Sequence, residues 1–354
     1  MERPNIGILL SKDCLLWTEH GLLTPEELNP GDNLICLDSK SNLSKFPLSE
    51  KPVNCGDTRL VSISTKCNDT VIGGDTSVFT SDGMIKAKDV GKGTMLEMLS
   101  EPKCHEIKKI CVPKENQTKI DGFTVDEQLS LYLAIGKPKY GNKVVFTSNI
   151  HKHSVPELEE LLGNILPQLE KKTHGRLSRL VNGSWVLTSD IFSELCQRID
   201  FRQDDLWWLT RANLAIPFQK STLKIPRFLR DNGYKTMESF FAGIIAFRCR
   251  VSQNTKLVSV QTPKKLRVIR AFIQNIAWVS GLNIFKKFVK QNGNYTVEFK
   301  ADDYDGSIRR SNDFAPVKEA TMEGNESYCI EVPTNWSPLV DNLPVRANKI
   351  NYEN

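Results

Sequence analysis

A repeat constrains this chain more than anything else in it. Cys14 to Leu37, CLLWTEHGLLTPEELNPGDNLICL, aligns without a gap with Thr76 to Leu99, TSVFTSDGMIKAKDVGKGTMLEML, at a displacement of about sixty residues. Trp17 falls on Phe79, Thr18 on Thr80, Gly21 on Gly83, Glu27 on Asp89, Gly31 on Gly93 and Leu34 on Leu96. The matches sit on turn glycines and on apolar positions of strand-like runs. A duplicated β subdomain requires this, because each copy must make the same tight turn and bury the same face.

With 354 residues, 40% hydrophobic and 25% charged, the chain has room for two or three domains with unstapled cores. Nine cysteines occur without a C-x-x-C pair, and no basic, apolar, small-residue series opens the sequence. Both point to a reducing intracellular compartment, the nucleus in a eukaryote. No stretch approaches the roughly 18 apolar residues of a membrane span. In that setting the Asn-x-Ser/Thr matches at Asn68 and Asn294 are chance sequons. The acids Asp302, Asp303 and Asp305, and the pair Asp204 and Asp205, read as turns or helix starts. His151 and His153 have no cysteine at metal-site spacing, and Cys104, His105 and Cys111 are irregular. No metal or cofactor is expected.

The middle of the chain alternates helix and strand. Lys143 to Ser148 and Ser184 to Thr188 read as strands, Val155 to Leu169 and Asp190 to Ile199 as helices capped by Ser or Asp. Further on, Leu257 to Thr262 is a strand, Pro263 to Leu282 a helix, and Asn283 to Val289 with Tyr295 to Lys300 a hairpin. Met237 to Val251, MESFFAGIIAFRCRV, sets Phe240, Phe241, Ile244 and Ile245 at helical spacing around Ala242 and Gly243, where two backbones can approach closely. Between Lys220 and Lys290 stand fifteen Lys and Arg against two acids, enough for a field of several kT over one face. Lys264, Lys265, Arg267 and Arg270 on their helix read as a solvated face.

These stretches carry a family resemblance. G-L-L-T-P-E-E-L-N-P-G-D resembles the first conserved block of inteins, and Tyr328 to Asn348, YCIEVPTNWSPLVDNLPVRAN, resembles their closing blocks. The helix at Met237 resembles the second LAGLIDADG helix of homing endonucleases, and Asp126 to Gly136, DEQLSLYLAIG, resembles the first. The order is that of the intein-derived HO-type endonucleases. It implies a multidomain β plus α/β fold: a split all-β Hint horseshoe around an inserted αββαββα-type LAGLIDADG-like saddle of pseudo-twofold symmetry. The implied domains are 1–118 and 306–354 for the Hint body and 119–305 for the insert, in halves 119–205 and 220–305, within a monomer.

The chemistry implied by the resemblance is missing from the residues. The metal-holding acids of the paired helices are replaced by Ile135 and Ala246. The splicing nucleophile falls at Leu9, and Cys14 aligns with a buried strand position. The assisting histidine of a T-x-x-H block, counted from Thr80, falls on Gly83. At the C-terminal junction Asn348 is retained, Ala347 replaces the histidine and Lys349 the acceptor. The reading is a double-stranded DNA-binding protein without splicing or Mg²⁺-dependent cleavage. Its cations on the saddle strands are Lys137, Lys139 and Lys143 in the first half, Lys224 in the linker, and Arg248, Arg250, Lys256, Lys286, Lys287, Lys290 and Lys300 in the second. Two alternatives stay open: an active endonuclease, which needs Mg²⁺, and a structural scaffold for RNA or protein.

Overall fold

The computed structural model describes residues 6–65, 67–113, 136–138, 141–146, 153–154, 156–193, 232–248, 250–252, 257–263, 267–282, 284–289, 294–300 and 314–349, with isolated positions between 115 and 150. The N-terminal stretch forms β1 (Ile6–Ser11), β2 (Leu16–Thr18), β3 (Gly21–Leu23), β4 (Asn33–Leu37), β5 (Leu43–Pro47), β6 (Val53–Thr65), β7 (Asp69–Gly73), β8 (Ser77–Thr80), β9 (Gly83–Lys86), β10 (Met95–Glu97) and helix α1 (Glu101–Ile110). In the middle come β11 (Lys137–Pro138), β12 (Lys143–Phe146), α2 (Pro156–Lys172), β13 (Arg176–Arg179), β14 (Trp185–Thr188), α3 (Gly233–Arg248), β15 (Arg250–Ser252), β16 (Leu257–Pro263), α4 (Arg267–Val279), β17 (Ile284–Val289) and β18 (Asn294–Lys300). The chain closes with β19 (Phe314–Ile330), β20 (Ser337–Val340), β21 (Leu343–Arg346) and β22 (Asn348–Lys349).

Two compact units result. One comprises residues 1–112, 267–288 and 299–354, the other 113–266 and 289–298. Both chain ends therefore contribute to one body, and Arg267–Phe288, expected inside the insert, clusters with that body.

The terminal body is built on an antiparallel sheet whose strands run β22-β1-β7-β6-β19-β10-β8-β21-β20-β2-β4-β5, with β3 beside β2 and β9 beside β8. The repeat shows in its hydrogen bonds. Thr18 Oγ1 donates to Gly21 O at 2.9 Å and Thr80 Oγ1 to Gly83 O at 2.6 Å, closing the same turn in each copy. Gly31 and Gly93 both take φ of 90°, a conformation that other residues adopt at a cost. Gly31 N–H donates to Leu48 O and Gly93 N–H to Val317 O. The strand partner that β5 leads into in copy one is thus supplied to copy two by β19, from beyond the middle of the chain. The long strands β6 and β19 then pair over most of their lengths. Trp17, Leu10, Leu22, Leu34, Leu60 and Val345 form part of the fully buried core.

In the other unit, β11-β12-β14-β13 make a four-stranded sheet. Lys143 lies opposite Thr188, and Thr188 opposite Arg176, so these three share one cross-strand row and one face. The alternate residues Val144, Phe146 and Leu187 are fully buried, as are Leu162, Leu166 and Leu169 of α2. Helix α3 buries Tyr234, Met237, Phe240 and Phe241, in keeping with its helical spacing. None of the described helices is long and apolar enough to cross a membrane.

The chain ends meet at β1, where Gly7 pairs with Asn348 of β22. A Cβ on Gly7 would stand 2.6 Å from Ile330 O, so backbone must move to admit it. We expect Gly7→Ala to destabilise the protein by about 1–3 kcal/mol in urea unfolding. Gly324→Ala, where a Cβ meets nothing, should leave stability unchanged or raise it by about 0.5 kcal/mol; equal losses at both sites would contradict the packing described.

Candidate functional site

The densest polar cluster of the terminal body is organised around a hairpin turn. Asp341 and Asn342, between β20 and β21, have φ of 49° and 64°. Two successive positive φ values are the signature of a type I′ turn, for which Asp and Asn are suited. Hairpin turns ordinarily face water; here both residues are 1% exposed. Each polar atom then needs a partner from the protein itself.

Three distant segments supply them. Leu15 N–H donates to Asp341 Oδ1 at 3.0 Å, and Asp341 N–H donates to Leu15 O at 2.8 Å, stitching the turn to the start of the first repeat. Trp17 Nε1 donates to Asn342 Oδ1 at 2.9 Å, and Leu99 N–H donates to Asn342 O at 3.2 Å. From the β6–β7 turn, Asn68 Nδ2 donates to Asp341 O and to Thr70 Oγ1, the latter at 3.1 Å. That turn is held by Thr65, whose Oγ1 accepts the N–H groups of Cys67 and Asn68 at 3.1 and 2.9 Å.

Helix α4 covers the cluster. Asn275 Nδ2 donates to Ala271 O at 2.7 Å and lies 3.4 Å from Asp341 Oδ1, while Asn342 Nδ2 donates to Asn275 O at 3.4 Å. Gln274 Nε2 donates to Asp69 Oδ2 at 3.1 Å, with Arg270 Nε 3.5 Å from the same oxygen. Arg267 grips Glu323 of β19 with both guanidinium nitrogens, the longer bond at 2.8 Å, and Trp278 Nε1 donates to Leu99 O at 2.8 Å. The solvated face expected for this helix is therefore corrected at two positions. Arg267, half-buried, and Arg270, buried, turn inward because Glu323 and Asp69 wait there, and a guanidinium withdrawn from water is tolerated only with such a partner. Lys264 and Lys265 lie outside the described residues.

The electrostatics follow from burial. Desolvation pushes the Asp341 carboxyl up to about 7, against the hydrogen bonds from Leu15, Cys14, Asn275 and Thr70 that lower it. Desolvation also holds the Cys14 thiol well above its ordinary value, with the nearby Asp341 adding to it; its Sγ donates to Val71 O at 3.1 Å. A thiol that stays protonated and hydrogen-bonded is no nucleophile. Arg267 is raised by its bond to Glu323. Among the described residues no group of three His, Cys, Asp or Glu is placed to hold a metal ion.

The positions singled out in the sequence are distributed unevenly over this centre. Leu9 lies in β1 opposite Cys329, and its Cβ packs so closely on Gly73 that a Cβ there would stand 2.8 Å away. Asn348 joins the same strand at Gly7, its Nδ2 donating to Asp75 O and Ser77 Oγ at 2.8 and 2.6 Å. Ala347 is fully buried. Gly83 sits on an exposed turn with φ of 113°, where a Cβ meets nothing. The segment that does reach the C-terminal turn is Thr65 to Thr70, through Asn68, whose sequence context is that of a chance sequon. Its signal was the repeat carried upstream: at the displacement that pairs Trp17 with Phe79, β1 falls on Asn68 to Gly73.

Of the cations, Lys143 is exposed on the row with Arg176, and Lys137 takes the register position opposite Val145. Arg248 ends α3, Arg250 pairs with Ser259 in β15, Lys286 and Lys287 fall in β17, and Lys300 ends β18. Ala246 falls within α3. Ile135, Lys139, Lys224, Lys256 and Lys290 lie outside the described residues, as does Asp126 to Ile135 as a whole.

No family model matches the chain, and no curated protein matches it. Solved structures that resemble it are inteins and intein-like domains. A DnaB mini-intein variant is 12% identical over 26% of this chain, with a TM-score of 0.24. An intein-like domain from Clostridium thermocellum is 17% identical over 26%, also at 0.24, and a DnaB intein from Synechocystis is 13% identical over 27%, at 0.25. The chain spans 62%, 66% and 72% of their respective lengths. At these TM-scores the likenesses carry no weight for the chemistry of this chain.

The turn gives a direct test. Asn342→Gly keeps the backbone conformation but removes the Oδ1 acceptor of the buried Trp17 Nε1, a loss of about 1–3 kcal/mol. Asn342→Ala adds the strain of a positive φ, about 1–2 kcal/mol more. Denaturant unfolding should rank wild type above Gly above Ala; Ala equal to Gly would contradict the assigned turn.

Proposed function

We propose that this protein is an intein-derived, HO-type chain that has lost acyl-transfer chemistry and binds double-stranded DNA through the basic module between its ends. Splicing needs an activated nucleophile at the start of the β body. Leucine stands at that position, and the nearest thiol, Cys14, is buried, protonated and bonded to Val71 O. The residues of the LAGLIDADG-like helices that would hold Mg²⁺ are Ile135 and Ala246, neither of which can ligate a hard cation.

The observation that carries DNA binding is the cross-strand row Lys143, Thr188 and Arg176, where Lys143 and Arg176 are exposed at the end of a face whose next row, Val145 and Val186, is buried. Cations spaced across neighbouring strands neutralise phosphates without needing to read bases, and a β surface fits the major groove. Lys137 on the same sheet, and Arg248, Arg250, Lys286, Lys287 and Lys300 in the second half, extend the basic character along the sequence. A nuclear location fits such a role in a eukaryote.

Fluorescence anisotropy with duplex DNA over a salt series tests this. Binding should weaken log-linearly with salt, and Lys143→Glu with Arg176→Glu should reduce the slope by about 2, close to one unit per phosphate contact. An absent or unchanged slope would sink the reading and leave a protein-binding scaffold. With Mg²⁺ the DNA should stay intact, and nicking would put an active endonuclease in its place. Flanking reporter domains fused to both ends should remain joined by gel electrophoresis.

A further inference from the structure

The contacts of α4 with the terminal body suggest a device that is independent of DNA. Asn275 and Gln274 are both fully buried, and Asn275 Oδ1 and Gln274 Oε1 have no hydrogen-bond donor among the described residues. An orphaned buried acceptor is costly, on the order of 1–3 kcal/mol. The titratable group beside Asn275 is Asp341, whose Oδ1 lies 3.4 Å from Asn275 Nδ2. A carboxylic acid and a primary amide are complementary in two places: the amide N–H₂ donates to the acid C=O, and the acid O–H donates to the amide C=O. A carboxylate can make only the first of these bonds. We propose that Asp341 is a proton-operated latch for helix α4: the helix is held down while the carboxyl carries its proton and is loosened when that proton leaves.

The charged groups on the surrounding elements do not supply a substitute for the proton. On α4, Arg270 is directed to Asp69 of β7 and Arg267 to Glu323 of β19. Before β2, Asp13 is itself pushed up by burial and Cys14 stays a thiol. Around the turn itself are Leu15 N–H, Asn68, Thr70 and Asn342, all uncharged. Ionised Asp341 would thus be a buried anion beside neutral dipoles, which is expensive. Opening α4 admits water to that face and relieves the cost.

The sign follows from linkage. The carboxyl binds its proton more tightly in the docked state, with a value of about 7 against 3.8 ordinarily. Stability from this group is therefore complete below about pH 4, is lost as pH rises and reaches its minimum above about pH 7. Hydrogen–deuterium exchange by mass spectrometry on the full chain reads it directly. After correction for intrinsic exchange, opening of the peptide covering 267–279 should rise at least tenfold between pH 5 and pH 8, beyond any change in peptides of β6 and β19. Asp341→Asn keeps a residue suited to positive φ and should show no such rise. Equal opening at both pH values in the wild type would overturn the latch. So would the same rise in Asp341→Asn, which would assign the pH dependence to another group. Should Asp341→Asn fail to fold, the wild-type comparison of 267–279 with β6 and β19 decides alone: a rise shared by all three is global unfolding and also overturns it.

Discussion

The terminal body depends on burying a hairpin turn. A type I′ turn carries several polar groups in a few residues, and placing it at 1% exposure obliges the protein to bring partners from every side. Those partners come from Leu15 and Trp17 in the first repeat, from Asn68 beyond β6, from Leu99 at the end of the second repeat, and from Asn275 far along the chain. No single segment could satisfy Asp341 and Asn342 alone. Segments separated by over three hundred residues are thereby fixed in one place, and the ion pairs of Arg267 and Arg270 reinforce the one that arrives from furthest inside.

The same cluster bears on chemistry. A buried turn surrounded by amides, hydroxyls and a protonated thiol has hydrogen bonds for orientation, and its one carboxyl, Asp341, is committed to Leu15 N–H while the Cys14 thiol donates to Val71 O. Burial raises Asp341 and Cys14 together, and the Cys14 thiol, held well above its ordinary value and bonded to Val71 O, stays protonated. The cluster is occupied by groups suited to holding structure.

The repeat could be read from the sequence because its evidence lies in turn glycines and a threonine that the fold uses twice in the same way. Thr18 and Thr80 close identical turns, and Gly31 and Gly93 share one φ. Strands β12 and β14 and helices α2 and α3 also follow from apolar periodicity. The centre was harder. Asn68 is a common residue in a polar run, and its importance comes from its bond to Asp341 O, a partner more than two hundred residues away that no local pattern states. Arg267 and Arg270 looked solvated because their partners, Glu323 and Asp69, are remote in sequence. The count from Thr80 to Gly83 led to an exposed turn, while the polar segment that reaches Asp341 begins earlier, at Thr65.

The most direct measurement of this account is a carbon-detected NMR titration of the aspartate side-chain carboxyls in the full chain, with Asp341 assigned by its loss in Asp341→Asn. With the turn buried beneath α4, Asp341 should titrate well above an exposed aspartate, at about 7. A midpoint near 4 would contradict the account, because desolvation would not then dominate at this carboxyl as the buried turn requires.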